Sequence, residues 1–159
     1  MTPGELAGLV LAEAQARHWT IAVAESLTGG EVLAALTAVP GASSVVRGGA
    51  VAYQNSVKTA VLGVSATALS TSGAVSQVVV SQMARGVAAV CAADIGLATT
   101  GVAGPGPEGG VAAGSYWVGI WRAGSHREAL ERVVGDRASV RQAAVLDGLT
   151  MLAVELELL

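Results

Sequence analysis

The sequence predicts an α/β fold: a three-layer α/β/α sandwich around a mixed, mostly parallel sheet, with a C-terminal antiparallel hairpin. Three observations lead there. Helix-like and strand-like segments alternate through the first two thirds of the chain, as crossover-connected parallel strands require. Two neighbouring β-like segments around Gly124-Ser125 then break that rhythm with a hairpin, which supplies the antiparallel part. The apolar content is aliphatic: 52% of residues are hydrophobic, only 3% are aromatic and none is Phe. A core of Ala, Val, Leu and Ile suits helices packed closely on a sheet.

Residues 3–18 read as a helix with Leu6, Leu9, Val10 and Ala14 on one face. Thr20–Glu25 is short, apolar and β-rich, the pattern of a buried strand. Thr28-Gly29-Gly30-Glu31 opens a helix running to about Ala38, with Thr28 as N-cap and Glu31 completing a capping box. Pro40–Ser44 reads as a loop, and Val45–Gln54 as a strand whose Gly48-Gly49 marks a bulge or a close approach. Residues 55–62 form a short helix ended by Gly63, with Asn55 as its N-cap. Residues 76–92 form a long helix, and Asp94–Gly101 another buried strand. Val102–Ala113 is a Gly/Pro-rich loop, Gly114–Arg122 and Glu128–Val134 pair as the hairpin, and Asp136 starts a last helix reaching the C-terminus. No repeat or linker divides the chain, so residues 1–159 are expected to form one domain.

Composition narrows the function classes. No uncharged apolar run approaches the roughly 18–20 residues of a membrane-spanning helix, because Asp94, Asp147, Glu155 and Glu157 interrupt the richest stretches. The first residues read as helix and not as a signal peptide, and the lone cysteine, Cys91, fits a reducing compartment, so a cytoplasmic location is expected. A net charge of −3 without any basic cluster argues against nucleic-acid binding, which depends on neutralising phosphates. His18 and His126 have no metal-like spacing, and no Gly-Lys-Ser/Thr marks a phosphate loop, so no metal site is expected. Sparse charge and apolar helix faces favour a homodimer or larger homo-oligomer.

In α/β sheets ligands bind beyond the carboxyl ends of the strands. Here those ends are Glu25-Ser26, Tyr53-Gln54-Asn55 and Thr100-Gly101, polar in every case. The capping box explains Thr28 and Glu31 but leaves Glu25 and Ser26 without a structural role. Ser26 would stand beside the N–H groups of a helix N-terminus, able to hold a phosphate or a developing oxyanion. Lys58 is the only lysine among nine basic residues, and lysine, unlike arginine, can lose its proton near neutral pH and act as a base. Its place in the first turn of a helix lowers its pKa further. Each also has an ordinary reading: a turn, a surface lysine, and a solvated face for Arg137 and Arg141.

Taken in order, Ala24-Glu25-Ser26-Leu27-Thr28-Gly29-Gly30, Pro40-Gly41-Ala42-Ser43-Ser44, Gly49 through Tyr53-Gln54-Asn55-Ser56-Val57-Lys58, Gly73-Ala74-Val75-Ser76, Thr100-Gly101-Val102-Ala103-Gly104-Pro105 and Gly135-Asp136-Arg137 with Arg141 resemble the C-terminal domain of the CinA (competence/damage-inducible protein) family. The resemblance covers nearly the whole chain and suggests the stand-alone form, without the family's usual N-terminal domain. It implies hydrolysis of nicotinamide mononucleotide (NMN) to nicotinate mononucleotide and ammonia, without metal or other cofactor, in pyridine nucleotide salvage. Ser26 and Lys58 are the catalytic residues it implies. Tyr53 and Thr100 are candidates to orient Lys58 or the amide. Backbone N–H groups near Thr28–Gly30 or Gly101–Val102 would stabilise the oxyanion, and Ser43, Ser44, Arg137 or Arg141 would contact the phosphate, with Glu25 and Asn55 also near the substrate. One segment departs from the family: Gly106-Pro107-Glu108-Gly109-Gly110-Val111-Ala112-Ala113-Gly114 lacks the lysine and proline usual there. That departure keeps open a non-catalytic nucleotide-sensing or protein-docking module, or an amidase or esterase of other substrates.

Overall fold

The computed structural model describes residues 1–159. Helix α1 (Pro3–Ala16) starts on a capping box in which Thr2 accepts from the Glu5 N–H and the Glu5 carboxylate accepts from the Thr2 N–H. It stops at Ala16, two residues before the expected end at residue 18, where His18 takes a left-handed φ of 57°. Strand β1 (Ile21–Glu25) is buried along its length. Helix α2 (Glu31–Thr37), a single 3-10 turn at Ala42–Ser44, strand β2 (Val46–Val51) and helix α3 (Asn55–Leu62) follow, the last closed by Gly63 at φ 67°. Helix α4 (Ala66–Ser72) was not expected. Its sequence is rich in Ser and Thr, and only Ala68 is buried, so no apolar periodicity betrays it. Helix α5 (Gln77–Cys91), capped by Ser76, strand β3 (Ile95–Gly101), strands β4 (Ser115–Arg122) and β5 (Ser125–Arg132), and helix α6 (Arg137–Glu155), capped by Asp136, complete the chain.

The five strands lie in the order β2-β1-β3-β4-β5. β2, β1 and β3 run parallel, whereas β3–β4 and β4–β5 pair antiparallel. The sheet is therefore half parallel and half antiparallel, not mostly parallel. Only the strands joined by helical crossovers can run parallel, and after β3 the chain returns through a loop and then a tight turn. β5 also begins earlier than expected, at Ser125, because its polar edge-strand residues Ser125-His126-Arg127 do not read as a strand.

Alternation along the strands feeds two cores. Ile21, Val23, Ile95, Leu97, Tyr116, Val118 and Ile120 face α1, α2 and α6, while Ala22, Ala24 and Ala98 face α3, α4 and α5. The second face is lined by small side chains, and α5 approaches it closely. A Cβ on Gly96 would stand 1.9 Å from the Ala84 carbonyl oxygen of α5. Of the bulge or close approach expected at Gly48-Gly49, Gly49 makes the close approach, a Cβ there meeting the Val23 carbonyl at 2.1 Å, while the β1–β2 register shift between Ile21 and Ala22 falls at Arg47. No helix is long and apolar enough to cross a membrane. The parallel strands bring Glu25, Val51 and Gly101 to one end of the sheet.

Candidate active site

At that end β1 runs into the turn Ser26–Gly30. The Glu25 side chain, wholly buried, reaches forward so that its Oε1 accepts from the Val32 N–H at 2.8 Å and its Oε2 from the Leu33 N–H at 3.1 Å. Glu25 thus caps α2 from outside the helix, and the expected Thr28–Glu31 capping box does not form. Gly29 and Gly30 both take positive φ, 62° and 104°, which delays the helix start and makes Gly30 the N-cap. Thr28 instead shares a buried 2.7 Å hydrogen bond with Thr99. Glu31 pairs with Arg141 at 2.6 Å, and Arg141 also donates to the Leu27 and Thr28 carbonyls at 3.0 and 3.3 Å. The N-terminal donors of α2 are consequently occupied by a carboxylate, and Arg141 is committed to holding the turn.

The turn begins at Ser26, whose N–H donates to the Thr99 carbonyl at 3.0 Å. Lys58 comes to it from α3. The N-cap of α3 is Gln54, one residue before the expected Asn55, and Lys58 remains in the first turn. Its Nζ donates to Ser26 Oγ and to the Tyr53 carbonyl, each at 3.2 Å. Lys58 is 1% exposed and Ser26 8% exposed, so the pair is shielded from bulk water. Burial holds the Lys58 pKa below its usual 10.5, and the charge of Glu108 pulls it partly back up.

Above the pair opens a cleft of about 540 Å³. Ser26, Tyr53, Asn55, Thr100, Gly101, Val102 and Arg137, all anticipated from sequence, line it together with Leu27, while Lys58 lies behind Ser26. Thr100 donates its hydroxyl to the Ala74 carbonyl at 2.8 Å and so pins the Gly73–Val75 wall, a role different from orienting Lys58. Arg137 bridges two walls, donating to the Gly104 carbonyl at 2.7 Å and to the Tyr53 hydroxyl at 3.1 Å.

Other residues fall elsewhere. Ser43 and Ser44 precede β2 at the opposite end of the sheet, where Ser43 lines a separate groove beside Val46 and Arg47. Thr28 is buried against Thr99, and Gly29 packs against Arg141. The Val102 N–H is taken by the Ser115 carbonyl at 2.9 Å, whereas the N–H groups of Leu27 through Gly30 donate to no group of the chain. Two parts of the cleft went unassigned in the sequence, the Ser72–Val75 wall and Glu108 with Val111. The run Gly73-Ala74-Val75 and the pair Gly109-Gly110 were their only signals. No three His, Cys, Asp or Glu side chains gather as a metal site would need.

Residues 4–156 match the CinA C-terminal domain family. The chain is 43% identical over 143 residues to a CinA-like protein of Gemmatimonas aurantiaca, covering 88% of this chain and 33% of that protein. It is 42% identical over 146 residues to a CinA-like protein of Frankia casuarinae, covering 92% and 34% respectively. It spans about a quarter to a third of the length of the curated relatives it matches. The crystal structure of the competence damage-inducible protein A (ComA) from Klebsiella pneumoniae superposes with a TM-score of 0.95 at 34% identity, covering 99% of this chain and 98% of that one.

Proposed function

The chain belongs to the CinA C-terminal domain family, and on that premise we propose that its cleft hydrolyses the carboxamide of NMN. The observation that carries this reading is the buried Lys58 Nζ held 3.2 Å from the Oγ of Ser26, which lines the cleft. A lysine whose charged form is penalised by burial is available as a neutral base, and a serine hydroxyl within its reach is the nucleophile such a base activates. The cleft volume lies within the roughly 300–1,000 Å³ of small-molecule sites.

Neutral Lys58 takes the Ser26 proton as Oγ bonds to the carboxamide carbon, and the tetrahedral oxyanion forms beside the unpaired Leu27 N–H. The Lys58 ammonium then returns the proton to the departing nitrogen, the C–N bond breaks and ammonia leaves. Water, deprotonated by the same amine, adds to the acyl carbon, the ester C–O bond breaks with the Lys58 proton passing to Ser26 Oγ, and nicotinate mononucleotide leaves. Arg137 is the guanidinium lining the cleft and the side chain suited to the phosphate.

Ammonia release from NMN tests the reading. Lys58→Arg keeps the charge but removes the base, and is expected to lower turnover by about a hundredfold or more. Near-normal activity in that variant would sink the dyad, and full turnover by Ser26→Ala would remove serine as nucleophile. A second reading is favoured by one observation, a cleft wall built from the segment Gly106–Gly114, which lacks the lysine and proline that the resemblance leads to. In that reading the domain binds a nucleotide without turnover, and NMN raises the melting temperature while no ammonia appears.

A further inference from the structure

Beside the Ser26–Lys58 pair, the cleft is lined by two charged side chains, Glu108 and Arg137. They do not pair with each other. Arg137 is directed at the Gly104 carbonyl and the Tyr53 hydroxyl, and the Glu108 carboxylate is in no ion pair. Nor does Glu108 ride on a slack loop. Its backbone exchanges hydrogen bonds of 3.0 and 2.9 Å with Val111 around Gly109-Gly110. Both glycines take positive φ, 56° and 77°, as the primed two-residue hairpin turns demand. The glycine pair therefore fixes where the residues flanking it stand, and both Glu108 and Val111 line the cleft.

We propose that Glu108 is a specificity-determining residue whose carboxylate recognises a cationic aromatic ring, so that the cleft selects a carboxamide borne on a pyridinium over a neutral amide of the same shape. This rests on the amidase reading and specifies the substrate class within it. NMN is a dipolar ion, with a quaternised ring at the amide end and a phosphate at the other. A cleft carrying one carboxylate and one guanidinium matches that distribution. The field of Glu108 reaches the reacting end, because the same carboxylate acts on Lys58. Hydrolysis then places a new carboxylate on the ring, and its repulsion by Glu108 disfavours the product relative to the substrate. Since Glu108 is exposed, water and salt moderate the effect to about fivefold.

Reduced NMN is the decisive probe, because it keeps the carboxamide, ribose and phosphate while its dihydropyridine ring is uncharged. With the wild-type chain and Glu108→Gln, kcat/KM is measured for both forms. The substitution is expected to lower the ratio of the NMN value to the reduced-NMN value about fivefold, through the KM for NMN, while any change in Lys58 acts on both forms alike. Equal effects on both forms, or no effect on their ratio, overturn the inference while leaving the amidase reading standing. If the wild-type chain releases ammonia from neither, the amidase reading fails separately, and calorimetry of the same two ligands decides the role of Glu108. Tighter binding of the oxidised form that Glu108→Gln abolishes supports charge recognition, and equal affinities overturn it.

Discussion

Lys58 and Glu25 are both buried charged-type residues at the carboxyl end of the sheet, and they do opposite work. Lys58 has its protonated form penalised by burial, which lowers its pKa from the usual 10.5. If it is the base, NMN turnover rises with pH as Lys58 deprotonates, and the rise is complete at a lower pH than an ordinary lysine would give. A pH profile of kcat/KM checks this, and a limb centred at or above 10.5 would count against the assignment. Glu25, by contrast, satisfies two backbone donors of α2 and is structural. Glu25→Gln keeps one acceptor but turns an amide N–H₂ toward a backbone N–H, and is expected to cost about 1–3 kcal/mol in urea unfolding. The sequence marked Glu25 as unexplained, yet read it as a substrate contact. A cap that reaches seven residues forward lies outside any local capping pattern, so only the folded turn reveals it.

At the scale of elements, the site depends on how closely helices approach the sheet and the turn. α5 lies on a strip of small residues, with Gly96 against the Ala84 carbonyl and Gly86 against the Leu62 carbonyl of α3, each at 1.9 Å from a built Cβ. Gly96→Ala is therefore expected to destabilise the fold by about 1–3 kcal/mol, measured by denaturant midpoint, because backbone and not a flexible side chain must give way. On the other face, α6 is tied to the Ser26 turn through Arg141, which holds two carbonyls and Glu31 at once. Helix positions and hairpin existence were legible because periodicity and turn residues record them. α4 and the start of β5 were not, since one has a nearly exposed Ser/Thr-rich face and the other is a charged edge strand.

Across the whole molecule, the end of the sheet opposite the cleft is held by charge. Glu155, near the end of α6 and 4% exposed, accepts from Arg122 at 2.7 Å and from Arg127 at 3.2 Å, joining the hairpin to the helix. Arg122 in turn lies 4.8 Å from the Trp19 ring centre, which Arg17 also overlies at 5.1 Å. Burial pushes the Glu155 carboxyl up, but the two arginine hydrogen bonds outweigh it and hold the pKa below the usual 4.5. A carboxyl depressed in the native state contributes stability above that unfolded value, and the contribution is lost as pH falls through the native one. Glu155→Gln is expected to flatten the stability profile below 4.5 and to cost about 1–2 kcal/mol at neutral pH, a modest figure because both arginines keep contact with water. Urea unfolding of both proteins across pH 3 to 7 gives the comparison, and parallel profiles would deny Glu155 this role.

By itself the sequence determined the layered α/β arrangement, the end of the sheet that carries the site, and Ser26 and Lys58 as the pair of interest. Each is written in patterns a linear chain can hold: apolar period, glycine turns, polar strand ends and a lone lysine. Tertiary structure decided the rest. It balanced parallel and antiparallel pairing, converted Glu25, Thr28 and Arg141 from ligand candidates into supports of the turn, sent Ser43 and Ser44 to the far end, and stood Glu108 in the cleft. Those outcomes depend on contacts between residues distant in sequence, such as Thr28 with Thr99 and Leu27 with Arg141, which no local pattern encodes.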